Sequence, residues 1–167
     1  MADELRLTPS ETVTIRTSVP GLLEVEGSWG AGGKPPPAHY HPVQHENFEV
    51  LEGTLTAKVG GEQRELGAGE TLQIAPGTPH QIWNAGEQPV RATWQTRPRL
   101  RTEEWFRAID GLLRSDRVDE GKMPGPLVMG AYVSEFGDVF RLAGPQLLVR
   151  PAVEILGVIG RARGYRP

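Results

Sequence analysis

Gly33–Gly53, GKPPPAHYHPVQHENFEVLEG, is the stretch that decides the fold, and Gly69–Asn84, GETLQIAPGTPHQIWN, answers it further along the chain. His39 and His41 stand two apart. Side chains on a strand leave alternate faces, so both imidazoles share one side while Tyr40 takes the other. Glu46 opens ENFEVL, whose alternation puts Glu46, Phe48 and Val50 on one face and Asn47, Glu49 and Leu51 on the opposite one. His80 follows the turn-forming APGTP and heads a strand on which His80, Ile82 and Asn84 share a face. If those three strands line one cavity, three imidazoles and one carboxylate converge on a point.

Working outward, the neighbouring segments read as short strands with glycine or proline turns between them. ETVTIR (11–16) and LLEVEGSW (22–29) alternate polar with β-branched or large apolar residues, with Leu23, Val25 and Trp29 turned inward. GAGGKPPP is a loop that delivers the chain to His39, because its glycines are unconstrained and its prolines donate no hydrogen bond. TLTAKV and EQREL flank Gly60-Gly61, a two-residue hairpin signal. Further strands are expected over 70–74, 80–84 and 90–96, and residues 1–9 read as a loosely held tail. Even spacing of this kind predicts an antiparallel sandwich or barrel.

Composition shifts at Pro98. Trp105, Phe106, Ile109, Leu112 and Leu113 recur at helical spacing behind Thr102 as cap, with Glu103 and Glu104 in the first turn. Val128, Tyr132, Phe136, Val139 and Phe140 form a second helical stripe, and Pro151 is placed in the first turn of a third helix.

The chain has 167 residues, a formal charge of -3 and no cysteine. That acidic balance speaks against a nucleic-acid or anionic-membrane partner, which calls for a dense basic face. The missing thiols exclude disulfides, thiolate metal sites and a cysteine nucleophile. The polar N-terminus is no secretory signal and no apolar run reaches the ~18 residues of a membrane helix, so a cytoplasmic protein is expected.

The two stretches quoted first resemble the two motifs of the cupin superfamily. Gly33, five residues, His39-x-His41, four residues, Glu46, six residues and Gly53 match the first motif at every marked position. Gly69, Gly77, His80 and Asn84 match the second. One position departs: Ala75 stands where the family usually has proline two before the glycine, with Pro76 beside it still stiffening the turn. The resemblance implies an all-β fold, an antiparallel double-sheet jelly-roll (cupin) barrel over 10–97. Residues 98–167 then form an α-helical C-terminal extension packed on the barrel or a partner subunit. It further implies that His39, His41, Glu46 and His80 hold one divalent metal ion (Fe, Mn, Ni, Co or Zn), and that the protein is a homodimer.

A lone His-x-His pair on a strand is more often a packing pair than a metal site. Here three of the chain's four histidines fall on the family's ligand positions, which the packing reading leaves as coincidence. His45 precedes Glu46 and is turned away from the cavity by strand alternation. The function expected is a metal-dependent dioxygenase, similar to the quercetinase-like cupins, acting on a small neutral, aromatic molecule. Glu46 would serve as ligand or as catalytic base. Two other readings stand beside it: a non-redox metal-dependent cyclase or isomerase, and a small-ligand binding or sensor module without catalysis.

Overall fold

Strands come first along the chain and helices last. A computed structural model describes residues 3–119 and 121–167. The strands are β1 (Glu4–Thr8), β2 (Glu11–Val19), β3 (Leu22–Trp29), β4 (His39–Tyr40), β5 (His45–Glu52), β6 (Thr54–Val59), β7 (Glu62–Gly67), β8 (Thr71–Ile74), β9 (His80–Trp83) and β10 (Val90–Arg97). They are followed by α1 (Thr102–Leu113), α2 (Pro126–Glu135), β11 (Arg141–Leu142) and α3 (Gln146–Ala162). Two antiparallel sheets have the orders β1-β2-β3-β10-β5-β8 and β11-β4-β9-β6-β7. This is the double-sheet jelly roll expected from the sequence, with edges left open rather than a closed barrel. Phe48, Val50 and Val90 from one sheet meet Leu55, Ala57 and Leu66 from the other in a single buried cluster. Full burial of each large side chain contributes roughly 2 kcal/mol.

Alternation works as the sequence predicts. Along β5, Glu46, Phe48 and Val50 are buried while His45 and Glu49 are exposed. Asn84 secures more than its own turn: its Nδ2 donates to the carbonyls of Trp29, Gly30 and Gln88, and its Oδ1 accepts from Gly86 N, closing the end of β3 onto the loop after β9.

Several local expectations are corrected. Within the stretch read as a loose tail, residues 4–8 form β1, paired antiparallel with β2 because Leu5 is buried beside Val13, Leu23, Val25 and Phe106; residues 1–2 lie outside the described residues. Thr102 is the first residue of α1 rather than its cap, and its hydroxyl instead accepts a buried hydrogen bond from Gln44 Nε2. The second apolar stripe outruns its helix: α2 ends at Glu135, and Val139 and Phe140 lead into β11. Pro151 lies inside α3, not in its first turn. The bond it cannot make would go to the carbonyl of Leu147, in a turn whose Leu147 and Leu148 face solvent, where water can take that carbonyl's free side.

Of the C-terminal elements, α1 packs on the longer sheet and β11 extends the shorter one. Phe106 of α1 packs on Val13, Leu23 and Val25, and β11 joins β4 by pairing Arg141 with Tyr40 and Leu142 with His39. α2 and α3 approach closely at glycine: a Cβ at Gly130 would overlap Leu156, and one at Gly160 would meet the Leu127 carbonyl at 2.8 Å.

Candidate metal centre

β4 and β9 are direct neighbours with His39 opposite His80, so two of the expected ligands are placed by one register. The turn before β9 fixes the second of them. Ala75-Pro76-Gly77-Thr78 closes with Thr78 N donating to Ala75 O, and Gly77 takes φ +73. Proline at the second position and left-handed glycine at the third are what a type II turn requires, so Pro76 supplies the stiffening despite Ala75 before it. Gly77 N then donates to His41 O at 2.8 Å, tying the turn to the loop that carries His41. Glu46 arrives from β5 on the opposite sheet.

The three imidazoles converge. Ligand nitrogens of His39, His41 and His80 all lie within 4.8 Å of one another. Glu46 joins them: Oε1 is 3.3 Å from His41 Nε2 and Oε2 is 3.0 Å from His80 Nε2. Each Nδ1 is meanwhile engaged by a backbone carbonyl, that of Pro37 for His39, Val139 for His41 and Thr78 for His80. A carbonyl only accepts, so each Nδ1 carries the proton and each Nε2 presents a lone pair. This is the tautomer a metal-binding histidine needs, oriented in the way metal-bound histidines usually are. His41 Nε2 and Glu46 Oε2 are buried, and neither has a hydrogen-bond partner among the described residues. The short His–Glu separations are therefore not aligned hydrogen bonds; acceptors from four side chains face a common space. Such a donor set fits a divalent ion of the hard-to-borderline kind.

The electrostatics agree with this crowding. Burial, followed by the neighbouring His80 and His41, pushes His39 down to about 3. For Glu46 burial works against the charge, but the facing imidazoles of His41 and His80 prevail and hold its carboxyl at about 2. His80 shows the reverse balance: burial lowers it, and contact with Glu46 outweighs that and raises it.

A cavity of about 410 Å³ opens from this cluster, and its walls are mainly apolar. Phe140 stacks on His39 with centroids 4.6 Å apart and on Trp105 at 5.0 Å. Trp94 sends its indole N–H to Glu46 Oε1 at 2.9 Å. Thus all four sequence-predicted residues meet, and His45 stays outside on the exposed face of β5. Three contributors were not legible beforehand: the Val139 carbonyl, the Phe140 ring and the Trp94 donor. The alternation Val90, Ala92, Trp94 did place that indole inward, but its partner only the folded sheet reveals. A second hollow of about 400 Å³ between α2 and α3 is lined by Arg101, Glu135, Asp138 and Arg150 and gathers no such ligand set.

Residues 28–96 match the family model described as a cupin domain. The chain is 34% identical over 92 residues to the tetracenomycin polyketide synthase protein TcmJ of Streptomyces glaucescens, a match covering 55% of this chain and 58% of that one. It is 44% identical over 55 residues to the probable oxidoreductase yanE of Aspergillus niger, covering 32% of this chain and 21% of that one. The match therefore spans less than two thirds of either relative. Among solved structures, the fold is similar to KdgF from Halomonas sp., with a TM-score of 0.56 at 21% identity over 60% of this chain and 90% of that one. No helix among the described residues is long and apolar enough to cross a membrane.

Proposed function

The chain carries a cupin domain over residues 28–96, and from that premise we propose that it is a metal-dependent dioxygenase acting on a small, neutral aromatic molecule. The observation that carries the metal part is the set of three imidazoles whose Nδ1 protons are tied to carbonyls while their Nε2 lone pairs face Glu46. His39, His41, His80 and Glu46 would hold the ion. Bound there, a divalent ion would supply Lewis acidity and, if redox-active, a means of engaging dioxygen.

The remaining chemistry belongs to the chain. Trp94 holds Glu46 Oε1, which leaves Oε2 as the oxygen able to accept the proton of a substrate hydroxyl. Phe140 is sandwiched between His39 and Trp105, and this stack forms an apolar wall that a planar molecule can pack against and that keeps water from the reacting atoms. Among the described residues no lysine or arginine lines the cavity, which supports a neutral ligand. The likeness to a protein named as an oxidoreductase supports oxygen chemistry; the likeness to a polyketide synthase protein favours a second reading, a non-redox cyclase or isomerase working on an aromatic polyketide.

Metal analysis of protein purified without added metal, followed by oxygen uptake with a panel of flavonols and diketones, separates the readings. Iron, nickel or copper with oxygen uptake is expected. Zinc with rearrangement of a diketone and no oxygen uptake would replace the dioxygenase with the cyclase, and a metal-free protein that binds the panel unchanged would make it a binding module. The homodimer expected from the sequence we place on the outer face of α3, where Leu147 and Leu148 are 91% and 71% exposed. Sedimentation of Leu147→Glu/Leu148→Glu protein as a monomer, against a wild-type dimer, is the outcome that supports it.

A further inference from the structure

The cavity has a second polar place, remote from the imidazoles. Glu46 lies opposite Thr96 on β10, whereas Trp29 lies opposite Val90, six residues further along that strand, and Glu11 of β2 lies opposite Trp29. At about 3.3 Å per residue the offset along the sheet is about 20 Å. Glu11 shares the inward face of β2 with buried Val13, and both Glu11 and Trp29 line the cavity. Burial pushes the Glu11 carboxyl up to about 7, against a weaker pull from the Trp29 indole. Trp29 is 4% exposed, and its Nε1–H lies close enough to the Glu11 carboxyl to draw its pKa down without making an aligned hydrogen bond to it or to any other described residue. The indole lies along its own strand over Gly27, where a Cβ would overlap the ring, so its place is fixed by the backbone.

A buried donor without an acceptor is costly, and a carboxyl in an apolar wall is costly when charged. Together they complement one group: a hydroxyl, which accepts from the Trp29 N–H and donates to the Glu11 carboxyl. A carbonyl can only accept, so it would leave the acceptor oxygen of the Glu11 carboxyl unpaired. We propose that Glu11 and Trp29 form a hydroxyl-binding subsite that selects ligands carrying a phenol or alcohol at the end remote from the imidazoles. This rests on the reading that the cavity takes a small aromatic molecule, and is independent of the metal and of the reaction.

Calorimetric titration at pH 6 with 2-naphthol and 2-methylnaphthalene, equal in shape but differing in the hydroxyl, tests it. Wild-type protein is expected to favour the naphthol by about tenfold, the worth of one well-formed hydrogen bond. Glu11→Leu should reduce that preference to within about twofold while keeping its affinity for 2-methylnaphthalene, Glu11→Gln should retain most of it, and His39→Ala should leave it intact. If Glu11→Leu does not fold, Trp29→Phe carries the same expectation of a reduced preference. A preference that survives in Glu11→Leu, or one that vanishes in His39→Ala, places the hydroxyl at the imidazoles and overturns the subsite. Binding of both probes without preference overturns the subsite alone; binding of neither overturns the aromatic-cavity reading beneath it.

Discussion

The Trp94 indole N–H, on β10, donates to Oε1 of Glu46, on β5, at 2.9 Å, while the same ring stacks on Phe48 with centroids 5.3 Å apart. One side chain therefore orients the only carboxylate in the cluster and packs the core beneath it. With Oε1 held by Trp94, Oε2 is the oxygen that faces His80 Nε2, at 3.0 Å.

Trp94→Phe keeps the stacking and removes the donor. Second-layer partners of this kind are typically worth ~10–100-fold in metal affinity, and the lost bond costs about 1 kcal/mol of stability. Chelator competition should show the affinity loss, and urea unfolding of the metal-free protein the small stability loss. Unchanged affinity would mean that Glu46 is oriented by the imidazoles alone.

Glu11 gives a pH dependence whose sign is set by its raised pKa. Its carboxyl is held near 7 in the fold, above its ordinary 4.5. Stability from its neutral form is complete below about 4.5 and is lost as pH climbs from there to about 7, because the unfolded chain ionises first. Glu11→Gln cannot lose it. The stability of the variant relative to wild type should rise across that window and stay level above it, read as urea midpoints at pH 4.5, 6 and 8. A difference that is flat with pH would count against a raised Glu11 pKa.

Phe140 bridges the two halves of the chain by stacking on His39 and on Trp105. Phe140→Ala should cost about 2 kcal/mol, below the usual cost of removing a phenyl ring because this one is only half-buried. Metal affinity should fall severalfold as His39 gains freedom. Thermal unfolding and metal titration report the two effects separately, and a stability loss with full affinity would show that the ring only packs.

Gln44 is fully buried, and its Nε2 donates to the carbonyls of Pro98 and Arg99 and to Thr102 Oγ1, joining the start of β5 to the start of α1. Gln44→Leu leaves those acceptors unpaired and should destabilise by about 3 kcal/mol. Metal content should stay at one equivalent, since the side chain contacts no proposed ligand. Loss of metal together with stability would reveal that α1 helps to shape the cluster.

The four meeting residues were readable in the chain because strand alternation has a period of two. His39, His41, Glu46 and His80 each had a face assigned by its neighbours, and two motifs fixed the spacing. The same logic kept His45 out. It failed for residues 4–8, where a short amphipathic strand gave too little pattern to outweigh a polar terminus, and for Val139 and Phe140, whose helical spacing continued after the backbone had left the helix. It could not find the subsite at Glu11 either, because a glutamate opening a strand reads as a solvated end until the opposite wall is known.

What the amino-acid sequence determined by itself is local in origin: which side chains face inward, which turns can form, and which donor atoms a cluster would hold. What only the tertiary structure decided is carried by contacts far apart in the chain. Val139, 98 positions from His41, fixes the proton on that imidazole, and Trp94, 48 positions from Glu46, fixes its carboxylate. The C-terminal segment supplies a wall of the cavity rather than a detached tail. A backbone carbonyl carries no residue identity, so no reading of letters could have named it; its role depends on where the chain returns, which the packing of apolar faces settles as a whole.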